Sequence, residues 1–253
     1  MLLKFLFSSF IFCLSITNYC YAQPKMHLTE HRILLTEANP KYDYQFYNQG
    51  TSAAECTTQF IDFNVTANGQ LRSVKNGNGP TTSAKALLRA SPKRIRLEPN
   101  QAQKIKVIAR NLRRQPNAEW VSYLSLRCKN LVKATDQKMQ ITPNFVFNIP
   151  VIVRKGQLGA KVHFSDVDIL EQNNQQTIQF NLNREGNRSL YGRIDVLDES
   201  DNILTFVKGL SIYQQTQSLP KSLTLKNKAS GKLKLRFVES EKFGNASASW
   251  TQP

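Results

Sequence analysis

Residues 139–154 read MQITPNFVFNIPVIVR, a run in which every odd-numbered position up to Val153 is apolar and every even one up to Asn148, save Val146, is polar. Period-two alternation is the signature of a β-strand with one apolar face. Strands commonly have about five or six residues. A run this long, with Phe145 and Phe147 side by side on one face, therefore demands a large apolar cover. A second sheet of the same chain is the ordinary cover; the core of a different protein is the other.

The chain begins as an exported protein would. Lys4 precedes an apolar run over 5–16, too short to span a bilayer comfortably, and Cys20-Tyr21-Ala22 offers a small-x-small cleavage site before Gln23. A leader over 1–22 and a soluble product are expected. Cys56 and Cys128 then remain, and in an oxidising compartment one disulfide is the natural pairing. It would contribute roughly 4 kcal/mol on the chain-entropy model. His27, His31 and His163 stand at no ligand spacing to either cysteine, so neither a metal nor a thiol-catalytic site is expected. Cleavage removes one lysine and no acid from a chain of formal net charge +16. Outside the cytoplasm such a charge points to acidic protein partners or anionic lipid, or serves solubility, rather than to nucleic acid.

The remaining sequence is punctuated like an all-β protein. Residues 26–35 read as a first strand, with Arg32 as an exposed edge residue, and Tyr42, Tyr44 and Phe46 alternate in a second. A third run over 56–65 ends at the turn Asn68-Gly69. Residues 73–85, rich in Gly, Asn, Ser and Thr, read as a mobile loop that lacks the Gly-Lys-Ser/Thr of a phosphate-binding loop. Ile95 and Leu97, then Ile105 and Val107, flank a turn in a hairpin-like unit. Its Lys93, Arg94, Arg96, Lys104, Lys106 and Arg110 make a basic outer face. Residues 120–128 form the strand before the long one; laid antiparallel to the strand of Cys56, it brings Cys128 to that residue. Some seven strands with almost no helical periodicity describe an immunoglobulin-like sandwich over 23–154. After Lys155-Gly156-Gln157 the pattern restarts, and strands near 162–169, 177–182, 191–196, 203–206, 209–213, 222–225, 232–238 and 246–250 make a second one over 155–253.

Several stretches taken in order, SPKRIRLEP with the QKIKV strand, IPVIVR, NREGNRSLYGR and KGLSIY, resemble the periplasmic chaperones of the chaperone–usher pathway, PapD-like proteins that assemble pili. The IPVIVR ending is closer to the non-classical branches. The resemblance implies two immunoglobulin-like domains in an L-shaped arrangement, a periplasmic location and no cofactor. It also implies a purpose for the long strand. A pilus subunit is a sandwich lacking one strand; the chaperone donates its own and passes the subunit to an outer-membrane usher. Met139, Ile141, Phe145 and Phe147 are then the donor side chains, with Ile149 at the boundary, and Val151 and Val153 stay packed at home. Burying four such side chains contributes roughly 6–12 kcal/mol before association costs.

In the family's best-known members an arginine on the first strand and a lysine on the long strand grip the subunit's terminal carboxylate. Arg32 matches the arginine, but Pro150 stands where the lysine is expected. Arg89 and Lys155 are the candidate replacements. Arg154 matches an arginine that joins the domains by ion pairing, and Arg188, Ser189, Tyr191 and Gly192 match a motif of turn and packing residues. Two other classes compete. An exported adhesin or fibre subunit would carry a donor extension near its N-terminus, for which 23–29 is short. An enzyme is not expected: there is no Gly-x-Ser-x-Gly elbow, no His-Glu-x-x-His helix and no carboxylate pair suited to acid–base work. A free chaperone has to cover its apolar strand, and capping by a second copy as a homodimer is one option.

Overall fold

A computed structural model describes residues 25–74, 79–131, 144–172, 175–226 and 228–253. The expected leader lies outside these residues, as do Met139 and Ile141. The first half contains β1 (Met26–Leu28), β2 (Ile33–Thr36), β3 (Lys41–Asn48), β4 (Ala54–Ile61), β5 (Phe63–Val65), β6 (Leu71–Ser73), β7 (Leu88–Ser91), β8 (Arg94–Leu97), β9 (Ala102–Ala109), β10 (Glu119–Asn130) and β11 (Asn144–Arg154). They form two facing sheets, β1-β3-β9-β7 and β2-β11-β10-β4-β8, with β5 and β6 as a separate hairpin. Alternation decides which side chains meet between them. In β9, Ile105 and Val107 are buried while Lys104 and Lys106 are exposed. Tyr44, Phe46, Leu124, Leu126, Val151 and Val153 join them in one core.

The second half contains β12 (Ala160–Gln172), β13 (Gln175–Gly186), β14 (Leu190–Leu197), β15 (Ile203–Ile212), β16 (Ser218–Thr224), β17 (Lys234–Glu239) and β18 (Ser247–Thr251). Its sheets, β12-β13-β16 and β15-β14-β17-β18, enclose a separate core that includes Ile178, Phe180, Ile194, Val196, Leu235 and Phe237. The molecule is thus two all-β, immunoglobulin-like sandwiches. The strands expected at 203–206 and 209–213 are one, β15, carried through an irregularity where Gly209 takes a positive φ of 73°.

Three local expectations are corrected. Residues 26–35 are two strands in different sheets: β1 pairs antiparallel with β3, and β2 pairs parallel with β11. The polar stretch Thr29-Glu30-His31 breaks the alternation, and the chain crosses from one sheet to the other there. The hairpin-like unit is likewise divided, since β8 pairs with β4 and β9 with β3 and β7. Its corner turns at Asn100, with φ 61°, and the Asn48 side-chain amide donates to the carbonyls of Leu97 and Glu98. Arg94 and Arg96 therefore lie on one sheet and Lys104 and Lys106 on the other, so the cations share no single face. Finally, the described end of the 73–85 loop is anchored. Ala84 is fully buried and its N–H donates to Ser122 Oγ at 3.0 Å, while the Ser83 hydroxyl donates to Asp62 at 2.9 Å.

Cys56 and Cys128 are direct partners in the β4–β10 ladder and are joined by a disulfide inside the core. Closing that loop restricts the unfolded chain. A Cys56→Ala, Cys128→Ala variant is expected to lose about 4 kcal/mol of stability. Urea unfolding followed by Trp120, which packs on the first core, in a Trp250→Phe background measures this without interference from the second core.

Candidate functional site

Strand β11 is paired unequally. Along one side it follows β10 without a break from Asn144 opposite Lys129 to Arg154 opposite Glu119. Along the other it meets β2 only at residues 151–154. Among the described residues, the edge over 144–150 faces no strand. Pro150 sits opposite Tyr123 in the unbroken ladder, and a proline nitrogen turned toward β10 would interrupt it. The nitrogen of Pro150 therefore faces away from β10, and by the two-residue period the amides of Val146 and Asn148 face the open edge. Natural edges are commonly protected by charge; NFVFNIP over 144–150 has none.

The side chains divide along the same line. Ile149, Val151 and Val153 are buried in the first core. Phe147 packs only at its margin, Phe145 is half-buried, and Val146 is 45% exposed on the opposite face. The apolar row is thus fully covered by its own sandwich at one end and only partly covered at Phe147 and Phe145.

The opposite face of the covered end meets the second sandwich. Glu119 and Arg154 are cross-strand partners, and Arg154 Nε donates to Glu119 Oε2 at 2.6 Å. Glu119 Oε1 also accepts the N–H of Ser189 at 2.8 Å, while Arg154 donates onward to the carbonyls of Ser189 and Phe243. Both side chains are almost wholly out of water. Beside them Arg188 makes a two-pronged ion pair with Glu239. The β5–β6 turn leans across as well: Ala67 accepts from the N–H of Gln217, and a Cβ on Gly69, where φ is 81°, would fall 2.8 Å from Leu219 Cδ1.

Arg32 lies at the same junction, not at an exposed edge. It is 2% exposed, and its guanidinium sits 5.0, 5.1 and 5.7 Å from the ring centres of Tyr191, Tyr213 and Phe243. Nη1 donates to the Leu190 carbonyl and to Ser211 Oγ; among the described residues, Nε and Nη2 have no hydrogen-bond partner. The buried cation is thus held by aromatic faces and two weak acceptors, with no described carboxylate paired to it. Arg89 and Lys155 lie elsewhere. Arg89, in the other sheet, donates to the Ala86 and Leu88 carbonyls, and Lys155 donates at 2.7 Å to the Arg113 and Gln115 carbonyls.

Sequence reasoning singled out Arg32 and Arg154, the former as an exposed edge residue, but not the Glu119, Tyr123, Tyr213 and Phe243 that lie around them at the junction. Only the opposite-sign pair Glu119 and Arg154, at the two ends of neighbouring strands, left a readable signal. Tyr123 is 2% exposed on the outward face of β10, its ring 6.3 Å from that of Tyr213. Burial first, then Tyr213, holds its phenol well above the ordinary value, so it is a neutral O–H donor throughout the physiological range.

No family model and no curated protein matches this sequence. Solved structures do match its fold. A chain of the CsuC–CsuE complex of chaperone and tip adhesion subunit, from archaic chaperone–usher Csu pili of Acinetobacter baumannii, aligns with TM-score 0.50 at 11% identity, covering 90% of this chain and 97% of that one. A chain of the Salmonella enterica complex of SafA pilin and SafB chaperone aligns with TM-score 0.47 at 10% identity, covering 90% and 95%. The protein shares its two-sandwich, all-β fold with the Acinetobacter baumannii chain.

Removing one member of a buried ion pair strands the other. Glu119→Gln is expected to lower stability by about 3 kcal/mol in urea unfolding. A loss below about 0.5 kcal/mol, the range of an ordinary surface substitution, would show that the junction is held by other contacts.

Proposed function

We propose that this protein is a periplasmic chaperone for fimbrial subunits, acting by donor-strand complementation and delivering its cargo to an outer-membrane usher. The observation that carries this reading is the unequal pairing of β11. An uncharged edge with free amide groups, next to Phe145 and Phe147 that their own core does not fully cover, fits a partner that lacks a strand and has an apolar groove. Backbone pairing along 144–150 supplies register and the phenylalanines supply burial. Met139 and Ile141 extend the donor row in this reading, and Ile149 marks where it turns into the protein's own core. The division of labour is between a first domain ending at Arg154, which donates the strand, and a second beginning at Lys155, which sets the far wall of the cleft. Arg32, with two guanidinium nitrogens unpartnered, is the anchor for the subunit's terminal carboxylate. The chemistry is binding alone, without a cofactor.

One neighbour supports the reading through what its own structure contains, a chaperone with a tip adhesion subunit. The test is co-purification from the periplasm of the wild-type chain and of a Phe145→Asp, Phe147→Asp variant, each expressed with pilin-like proteins encoded beside it. Wild type is expected to retain a subunit and the folded variant to lose at least nine-tenths of it. If both bind nothing, or both bind equally, the strand is ordinary core and surface, and an adhesin or fibre subunit becomes the better description.

A further inference from the structure

The charge of the protein is unevenly shared between its halves. Residues 23–154 hold 20 Lys and Arg against 8 Asp and Glu, a net of +12, whereas residues 155–253 hold 13 against 10, a net of +3. Donor-strand binding makes no use of this excess, since the open edge over 144–150 is uncharged. Part of it lies on the outward face of the β1-β3-β9-β7 sheet. Directly opposed residues of antiparallel strands share a face. Ile108 stands between Lys41 on β3 and Arg89 on β7, Lys106 between Asp43 and Ser91, and Lys104 opposite Gln45. The four cations are exposed, and Asp43 is the only acid in these four strands. Arg89 already donates to the carbonyls of Ala86 and Leu88. The five glutamates of the first sandwich pair with other cations, so among the described residues none of the three lysines has a carboxylate at ion-pair distance. Lys104 and Lys106 stand about 7 Å apart along one strand, and like charges so placed favour any surface that brings a plane of negative charge to them.

The composition of the face selects between kinds of partner. Lysine is a compact, strongly hydrated point charge and is depleted in protein–protein interfaces, where arginine and aromatic anchors dominate. None of the large exposed apolar side chains lies on this face, and its one guanidinium is engaged. An array of headgroup phosphates asks only for point charges on a flat surface. Tyr47, on the same face opposite Ala102, is the type of amphipathic ring found at membrane–water boundaries. We propose that the outward face of β1-β3-β9-β7 docks the protein on an anionic phospholipid bilayer, through the charges of Lys41, Lys104 and Lys106 on phosphatidylglycerol headgroups. The contact is reversible adsorption: no helix among the described residues is long and apolar enough to cross a membrane. The open edge of β11 belongs to the other sheet. In the chaperone reading a bound subunit therefore leaves this face free, although the lysine face itself does not depend on that reading.

The test is co-sedimentation of the protein, as purified from the periplasm, with vesicles of one-third phosphatidylglycerol in phosphatidylcholine and with vesicles of phosphatidylcholine alone. Binding is expected to the anionic vesicles in low salt, with release in high salt and none to the neutral ones. A Lys41→Gln, Lys104→Gln, Lys106→Gln variant is expected to partition about a hundredfold more weakly, at about fivefold per lysine. Its counterpart is Arg94→Gln, Arg96→Gln, Arg127→Gln, which removes the same charge from exposed positions of the other sheet and is expected to bind nearly as the wild type does. Both variants are expected to melt with the wild type, because every altered side chain is exposed. Equal binding to neutral vesicles, or equal losses in the two variants, overturns the proposal. So does a wild type that ignores anionic vesicles, and one that does so while binding polyglutamate assigns the face to an acidic protein instead. The assay contains no subunit, so its failure leaves the Phe145 and Phe147 test untouched, and the reverse.

Discussion

A backbone amide removed from water has to find a partner, and β11 meets that demand on both sides for only part of its length. Where β2 runs alongside, the strand is ordinary interior, with Val151, Ile152 and Val153 fully buried. Where β2 is absent the same strand keeps its shape through β10 alone. In the proposed reading that rigidity favours binding. An edge already held in extended form by a full ladder would lose little conformational freedom when a second neighbour joined it, so the gain from the phenylalanines would not be consumed in ordering the strand.

The junction between the sandwiches is built from the other face of the same residues. The covered end of β11 ends in Arg154, whose charge is shared between Glu119 beside it and the carbonyls of Ser189 and Phe243 across the gap. One strand thus carries an open edge at its start and a buried ionic joint at its end. Arg32 lies close to the place where these two functions meet, in a ring of aromatic groups drawn from the second sandwich.

Much of this was legible from the sequence, and the rest was not for identifiable reasons. Strands whose two faces differ announce themselves, and β9 and β11 were readable residue by residue. Cys56 and Cys128 needed only an antiparallel neighbour to meet. What alternation does not carry is which sheet a strand joins: residues 26–35 and the β8–β9 corner look continuous because crossing between sheets leaves the apolar period nearly intact. Arg32 looked like an edge residue because the groups that bury it, Tyr191, Tyr213 and Phe243, lie far along the chain. Tyr123 looked like one more member of an alternating strand, and only the ladder showed it standing across from Pro150.

The way β2 joins the second sheet ties folding to arrival order. It comes from the first residues of the sandwich, yet its partner in the ladder is the last stretch before Lys155. A chain that emerges N-terminus first can build β3, β4 and β9 early, but its sheet stays one strand short until residues 151–154 arrive. Contacts between such distant segments form slowly. For part of its own maturation, then, this protein is itself a sandwich missing its closing strand, with an exposed seam along β2.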